Sequence, residues 1–211
     1  MKKILTTLII LFGIYSATFA QTKNTFQLGS DIGYNYSTVQ YFGNGQSSSY
    51  VRGINLGASI EYYFSDRWGI KGKLIYDQKG WGNDYIVYND DYSTSIYSIN
   101  YHLNYLTIPI MANWHFGRAR NWYLNFGPYA GFLLNSSQPI NSEENIKDAF
   151  NTTDFGFSLG IGVKFRLSDK VKLFLEDDEQ GGFTNVLRNS PGTTVQNIRS
   201  SINIGLLFPL K

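Results

Sequence analysis

Phe155-Gly156-Phe157-Ser158-Leu159-Gly160-Ile161-Gly162-Val163-Lys164-Phe165-Arg166-Leu167 alternates without a break, large and apolar at every odd position and Gly, Ser, Lys or Arg at every even one. A period of two over this length is that of a β-strand with one face in apolar surroundings. The same period recurs on both sides. It sets Phe26, Leu28, Ile32 and Tyr34 against Gln27, Gly29, Asp31 and Gly33, and Ile54, Leu56, Ala58, Ile60 and Tyr62 against Asn55, Gly57, Ser59, Glu61 and Tyr63. Trp68, Ile70, Gly72, Leu74 and Tyr76 oppose Gly69, Lys71, Lys73, Ile75 and Asp77. Leu124, Phe126, Pro128, Ala130 and Phe132 oppose Tyr123, Asn125, Gly127, Tyr129 and Gly131. Val171, Leu173 and Leu175 begin a seventh segment, and Ile198, Ile202, Ile204, Leu206 and Phe208 mark an eighth. The fourth, Ile99 to Phe116, is apolar at Ile99, Tyr101, Leu103 and Tyr105, then at Leu106, Ile108, Ile110, Ala112 and Trp114. A phase change there predicts a β-bulge near Pro109, which cannot donate to a ladder.

The links decide the architecture. Ser65-Asp66-Arg67, Gly117 to Asn121 and Ser168-Asp169-Lys170 are short. Ser37 to Arg52, Gly80 to Tyr97, Asn135 to Thr152 and Phe183 to Val195 are long, and the two kinds alternate throughout. That is the pattern of a transmembrane barrel with tight periplasmic turns and longer extracellular loops. Tyr62, Phe64, Trp68, Trp114, Phe116, Trp122, Tyr123 and Phe165 crowd the tight turns as an interfacial girdle would. In the alternative, a soluble β-sandwich, the polar face meets water and is rich in charge. Here it mixes Gly, Ser, Asn and Tyr with scattered charges, as suits a lumen only wide enough for side chains. The expected fold is all-β, an eight-stranded antiparallel up-and-down transmembrane β-barrel. A turn centred on Asp66 sets Glu61 opposite Lys71, and one centred on Asp169 leaves Glu176 diagonal to Lys164, predicting ion pairs inside the barrel.

Composition agrees. Of 211 residues, 17% are aromatic and only 16% charged, against an ordinary charged share of about 25%. Lys2, Lys3, the apolar run from Ile4 to Tyr15 and Ser16-Ala17-Thr18-Phe19-Ala20 form a signal peptide expected to be cleaved before Gln21. The domains expected are thus a signal over 1–20 and a barrel over 21–211. Removing Lys2 and Lys3 from the 18 basic residues leaves 16 against 16 acidic ones, so nothing suggests nucleic acid, which calls for a basic stripe. The absence of cysteine removes disulfides, thiolate metal sites and cysteine nucleophiles.

Leu103-Asn104-Tyr105-Leu106-Thr107-Ile108-Pro109-Ile110 and Asn125-Phe126-Gly127-Pro128-Tyr129-Ala130-Gly131-Phe132-Leu133-Leu134 resemble the PorT-type outer-membrane β-barrel family of Bacteroidetes-like bacteria. So do Asp154 to Val163, Leu167-Ser168-Asp169-Lys170, Leu173-Phe174-Leu175-Glu176 and Phe183-Thr184-Asn185-Val186. The resemblance runs through nearly the whole mature chain. It implies a small signal-bearing outer-membrane barrel in a family mostly without assigned function, some of whose members are linked to secretion machinery. It would also favour an aromatic final residue, whereas this chain ends Phe208-Pro209-Leu210-Lys211, leaving Phe208 as the stand-in.

The other departure is Glu176-Asp177-Asp178-Glu179, acidic where the family has aromatic or apolar residues. A carboxylate facing lipid at mid-membrane is unfavourable. The run is therefore expected at the wet outer rim, or turned inward by a bulge, with a divalent-cation site as the sharper reading. A lipid-A-modifying hydrolase would need Ser, His and carboxylate at the outer side. His102, on the expected inward phase near Ser98 and Asn100, is the only candidate there, while His115 lies by a tight turn. Neither makes a triad by spacing, so no catalytic, cofactor-binding or metal residues are assigned. The function expected is structural or interactive: a porin-like barrel among outer-membrane lipid and lipopolysaccharide. Its outer loops, with Tyr41, Phe42, Trp81, Tyr85, Tyr88 and Tyr92, would be presented to another envelope protein. A narrow diffusion pore and the His102 enzyme are the alternatives.

Overall fold

In the computed structural model, which describes residues 23–43, 48–88, 93–137 and 146–210, eight strands form a closed antiparallel ring in chain order. They are β1 (Thr25–Phe42), β2 (Val51–Tyr63), β3 (Trp68–Tyr88), β4 (Thr94–Phe116), β5 (Trp122–Ser137), β6 (Thr153–Arg166), β7 (Lys172–Gly182) and β8 (Thr194–Leu210). The expected signal peptide lies outside the described residues. At one end, β2–β3, β4–β5 and β6–β7 join through tight turns, the second opening on Gly117 at φ 81°, a conformation that favours glycine. The strands climb further at the other end than the alternation suggests. Most of the expected loop from Gly80 to Tyr97 is instead ladder, paired from Gly80↔His102 to Tyr88↔Thr94.

The large residues of the alternating pattern face out. Ile32, Ile54, Ile70, Ile110, Leu159 and Ile204 are all exposed, and the positions between them are buried. Pairing fixes the geometry. The partners of Phe26 run through Tyr62, Ile70, Ala112, Phe126, Leu159, Glu179 and Ser200 back to β1 at Tyr36, ten residues above the start. A stagger of ten over eight strands corresponds to a tilt of about 40°, so each residue climbs about 2.5 Å along the barrel axis. The level of Phe26 holds the girdle around the short turns, where Trp68, Trp114, Phe116 and Trp122 touch ring to ring. Phe26 and Tyr36 are about 25 Å apart in height, the thickness of a lipid-facing apolar band.

β4 differs from expectation. It keeps one phase throughout, with Leu103, Tyr105, Thr107, Pro109, Met111, Asn113 and His115 all inward. The irregularity is on β5, where Asn104 pairs with Asn135 and Tyr105 with Leu133, leaving Leu134 as the extra residue. What changes along β4 is the lumen it faces, polar below and apolar above.

Glycines on the inner wall make room for aromatic side chains from the next strand. A Cβ on Gly162 would stand 2.3 Å from the Tyr123 Oη and 2.8 Å from the Leu175 carbonyl oxygen, and one on Gly205 would meet the Phe174 ring at 2.5 Å. Gly162→Val is therefore expected to lower stability by about 1–3 kcal/mol through overpacking. A lower temperature for loss of the fast-migrating folded band on a gel would show it. An unchanged transition would mean that Tyr123 turns aside freely.

Candidate functional site

The charged residues of the lumen form two tiers of cross-strand pairs. Glu61 is opposite Lys71 in the β2–β3 ladder as expected, with 3.5 Å between Lys71 Nζ and Glu61 Oε1. The expected partnership of Glu176 with Lys164 is not made. Lys164 Nζ reaches Glu61 Oε2 at 2.6 Å and the Tyr63 hydroxyl at 2.7 Å, and that hydroxyl donates to Glu61. Glu176 takes Lys71 at 2.8 Å and Lys73 at 3.3 Å, and accepts a hydrogen bond from Asn125 Nδ2 at 2.8 Å. In so narrow a ring a lysine side chain spans to the far wall, so Glu61 and Glu176 each find a cation across the lumen. Lys73 also holds Asp31 at 3.1 Å.

A second tier lies above. Arg199 Nη2 donates to Asp178 Oδ2 at 2.6 Å, and its Nε is 3.4 Å from Asp77 Oδ2. Lys79 meets Asp154 at 3.1 Å, which also accepts from the Tyr129 hydroxyl and from Asn197 Nδ2. Lysine ammonium groups rest on the aromatic walls, Lys164 4.7 Å from the Tyr123 centroid and Lys79 4.5 Å from that of Tyr129. Every one of these charged side chains is buried. The arrangement holds the strands in register and fills the bore.

The long-loop end is closed differently. Phe150, just after the 3₁₀ turn Lys147–Ala149, enters the barrel mouth among Val39, Trp81, Leu103, Tyr105, Leu133 and Val195. Its ring stands edge-on to Trp81 at 5.9 Å. The β7–β8 loop crosses above it: the Asn151 amide donates to the Val186 carbonyl, the Val186 amide to that of Val195 and the Arg188 amide to that of Ala149. Asn151 Nδ2 adds bonds to the Asn185 and Leu187 carbonyls. Trp81, expected on an exposed contact surface, is thus inside the mouth and 2% exposed. Phe42 is exposed and Tyr41 packs against the mouth cluster. Tyr85 and Tyr88 belong to the β3–β4 ladder, and Tyr92 lies outside the described residues. Glu143 and Glu144 also lie outside them, while Lys147 and Asp148 of the same β5–β6 connection form the 3₁₀ turn.

His102 is on the outward phase of β4, opposite Gly80 and Ser137, not on the inward phase expected. The difference follows from the phase change, which β4 does not make. Partial burial lowers the pKa of its imidazole, which stands beyond the apolar band. Among the described residues no serine or carboxylate is hydrogen-bonded to it. His115 lies inside the barrel between the Tyr63 and Tyr123 rings, its Nδ1 3.1 Å from the Arg120 carbonyl. The acidic run is split by simple alternation along β7. Glu176 and Asp178 enter the network, while Asp177 and Glu179 face out. Neither a bulge nor a strand end intervenes, since β7 pairs on to Gly182. Four carboxylates divided between two faces do not converge on one cation, and no metal-holding cluster of His, Cys, Asp or Glu occurs among the described residues.

A closed eight-stranded ring with a lipid-facing apolar band is the architecture of a small outer-membrane barrel. The outer membrane protein beta-barrel domain matches residues 19–188. The chain belongs to that family. It resides in the outer membrane, with the short turns toward the periplasm. Neisserial surface protein A is similar in fold, with a TM-score of 0.50 and 14% identity over 87% of this chain and 96% of that one. OprG from Pseudomonas aeruginosa (TM-score 0.48, 12% identity, 90% and 98% covered) and Ail, the attachment invasion locus protein of Yersinia pestis (0.46, 16%, 89% and 100%), are also similar. No curated protein matches the chain.

Proposed function

We propose that this is a non-conducting outer-membrane barrel that acts through its outer surface, in a structural or interaction role within the cell envelope. The observation that carries the reading is the double closure of the lumen, by a buried charge network below and the Phe150 cap above. A bore filled in this way gives ions and solutes no path. The pore alternative loses its support with it. The enzyme alternative loses its own, because no serine or carboxylate among the described residues is hydrogen-bonded to His102.

The PorT-type resemblance of Leu103 to Ile110 and Asn125 to Leu134 suggests a narrower place, among Bacteroidetes-type barrels that accompany secretion machinery. The partners proposed are outer-membrane lipid, lipopolysaccharide and another envelope protein. Crosslinking in intact cells, purification in mild detergent and mass spectrometry should recover one envelope protein in stoichiometric amount. In planar bilayers the purified protein is expected to give no discrete conductance steps. Regular steps from the unaltered protein would overturn the closed-barrel reading.

A further inference from the structure

The outward face of β7 breaks the lipid-facing pattern. Its side chains run Leu173, Leu175, Asp177, Glu179, Gly181, whereas outward positions on the paired stretch of β6 are Phe165, Val163, Ile161, Leu159 and Phe157. Depth follows from the pairing. Each of the eight steps from Phe26 round to Tyr36 climbs a little over one residue, so Glu179, six steps on, stands about seven to eight residues up and Asp177 about two lower, near the middle of the ten. Asp177 is flanked by Ile161 and Ile202, the latter 69% exposed, and Glu179 by Leu159 and Ser200. Both carboxylates therefore project at hydrocarbon depth. Neither forms an ion pair among the described residues, although the carboxylates at Glu176 and Asp178 on the inner face of the same strand are paired with Lys71, Lys73 and Arg199.

We infer that the β6–β8 wall is a lateral contact surface for a second, different β-barrel that carries a lysine or arginine at mid-depth on its own lipid-facing wall. Charge complementarity sets the chemistry of the partner, because ionised carboxylates in hydrocarbon need a cation within reach. The neighbouring short side chains, Gly181 and Ser200, let another wall approach; a Cβ on Gly181 would meet nothing within 4 Å. A second copy of this chain does not fit. Its outward positions within the apolar band carry no basic residue in β1 to β8, with Arg52 standing above the level of Tyr36, and symmetric pairing would set carboxylate against carboxylate. The partner is a barrel because closed strands and helices alone span a membrane, and an outer-membrane neighbour with a charge on its wall is of the first kind.

This surface is distinct from the outer loops, so its test can fail without touching the loop reading. A photo-crosslinking amino acid is placed at Ile202, beside Asp177, and as a control at Leu74, at similar depth on the opposite wall, in cells expressing the full chain. The expected result is an adduct of one defined mass from Ile202 and none from Leu74. In an Asp177→Asn, Glu179→Gln background its yield should fall by about tenfold or more, the loss of a desolvated ion pair. The folded, heat-modifiable band of that double variant, compared alongside, shows that assembly is intact. No adduct at Ile202, an adduct of twice the chain's mass, equal labelling from Leu74, or a yield unchanged in a folded double variant would each overturn the inference.

Discussion

Lys71→Met is expected to lower the stability of the folded barrel by about 3–5 kcal/mol, the cost of removing one partner from a buried ion pair. Lys71 is the link between two acids, at 2.8 Å from Glu176 and 3.5 Å from Glu61. Methionine fills much the same space, so the change removes charge with little loss of packing. Glu61 keeps Lys164 and Glu176 keeps Lys73, but each loses one of two cations in a region from which water is excluded. The double variant Lys71→Met, Glu176→Gln should recover part of the loss, since it leaves Glu61 paired with Lys164 and Asp31 with Lys73. Equilibrium unfolding in urea with lipid vesicles, followed by tryptophan emission, measures both. A single variant as stable as the parent would mean that the lysine's desolvation cancels its attraction to the acids.

Glu61 and Lys71 are legible as a ladder pair from the residues alone, because alternation with period two fixes which side chains share a face and a short turn fixes which lie opposite. Contacts across the bore are not legible in that way. Lys164 with Glu61 and Lys73 with Glu176 join β6 to β2 and β3 to β7, and their meeting depends on ring diameter and stagger, quantities that no local pattern carries. Apolar inward residues mislead for a related reason. Leu103 and Tyr105 read as lipid-facing because apolar residues elsewhere face lipid, and the inward reading of His102 follows from that. Their real environment is the mouth cluster, assembled from Val39, Trp81, Phe150 and Val195 on four separate parts of the chain. The signal is present in Trp81 and Phe150, large apolar residues within segments otherwise polar enough to pass as loops. On β7 the alternation is readable and correct, but the depth of Asp177 emerges only when the pairing is followed round the closed ring.

Phe150→Ala is expected to release the cap while leaving the barrel folded. The side chain is 2% exposed and packs on Trp81 and Tyr101, so its truncation should cost about 3–5 kcal/mol. Little of that cost falls on the strands, whose ladders close without it. It falls on the local equilibrium by which residues 146–151 and the β7–β8 loop lift from the mouth. The amides of Asn151, Val186 and Arg188, which donate to Val186, Val195 and Ala149, should then exchange with solvent about a hundredfold faster or more. Strand amides such as that of Leu159 should keep their rates. Equal rates at Val186 and Arg188 in parent and variant would show that the loop bonds hold the cap without the ring. Even with the cap open the variant should pass no current, because Lys79 with Asp154 and Arg199 with Asp178 still close the bore beneath it. Conductance in Phe150→Ala alone would assign the seal to the cap, and conductance only when Arg199→Met is added would assign it to the charged tier.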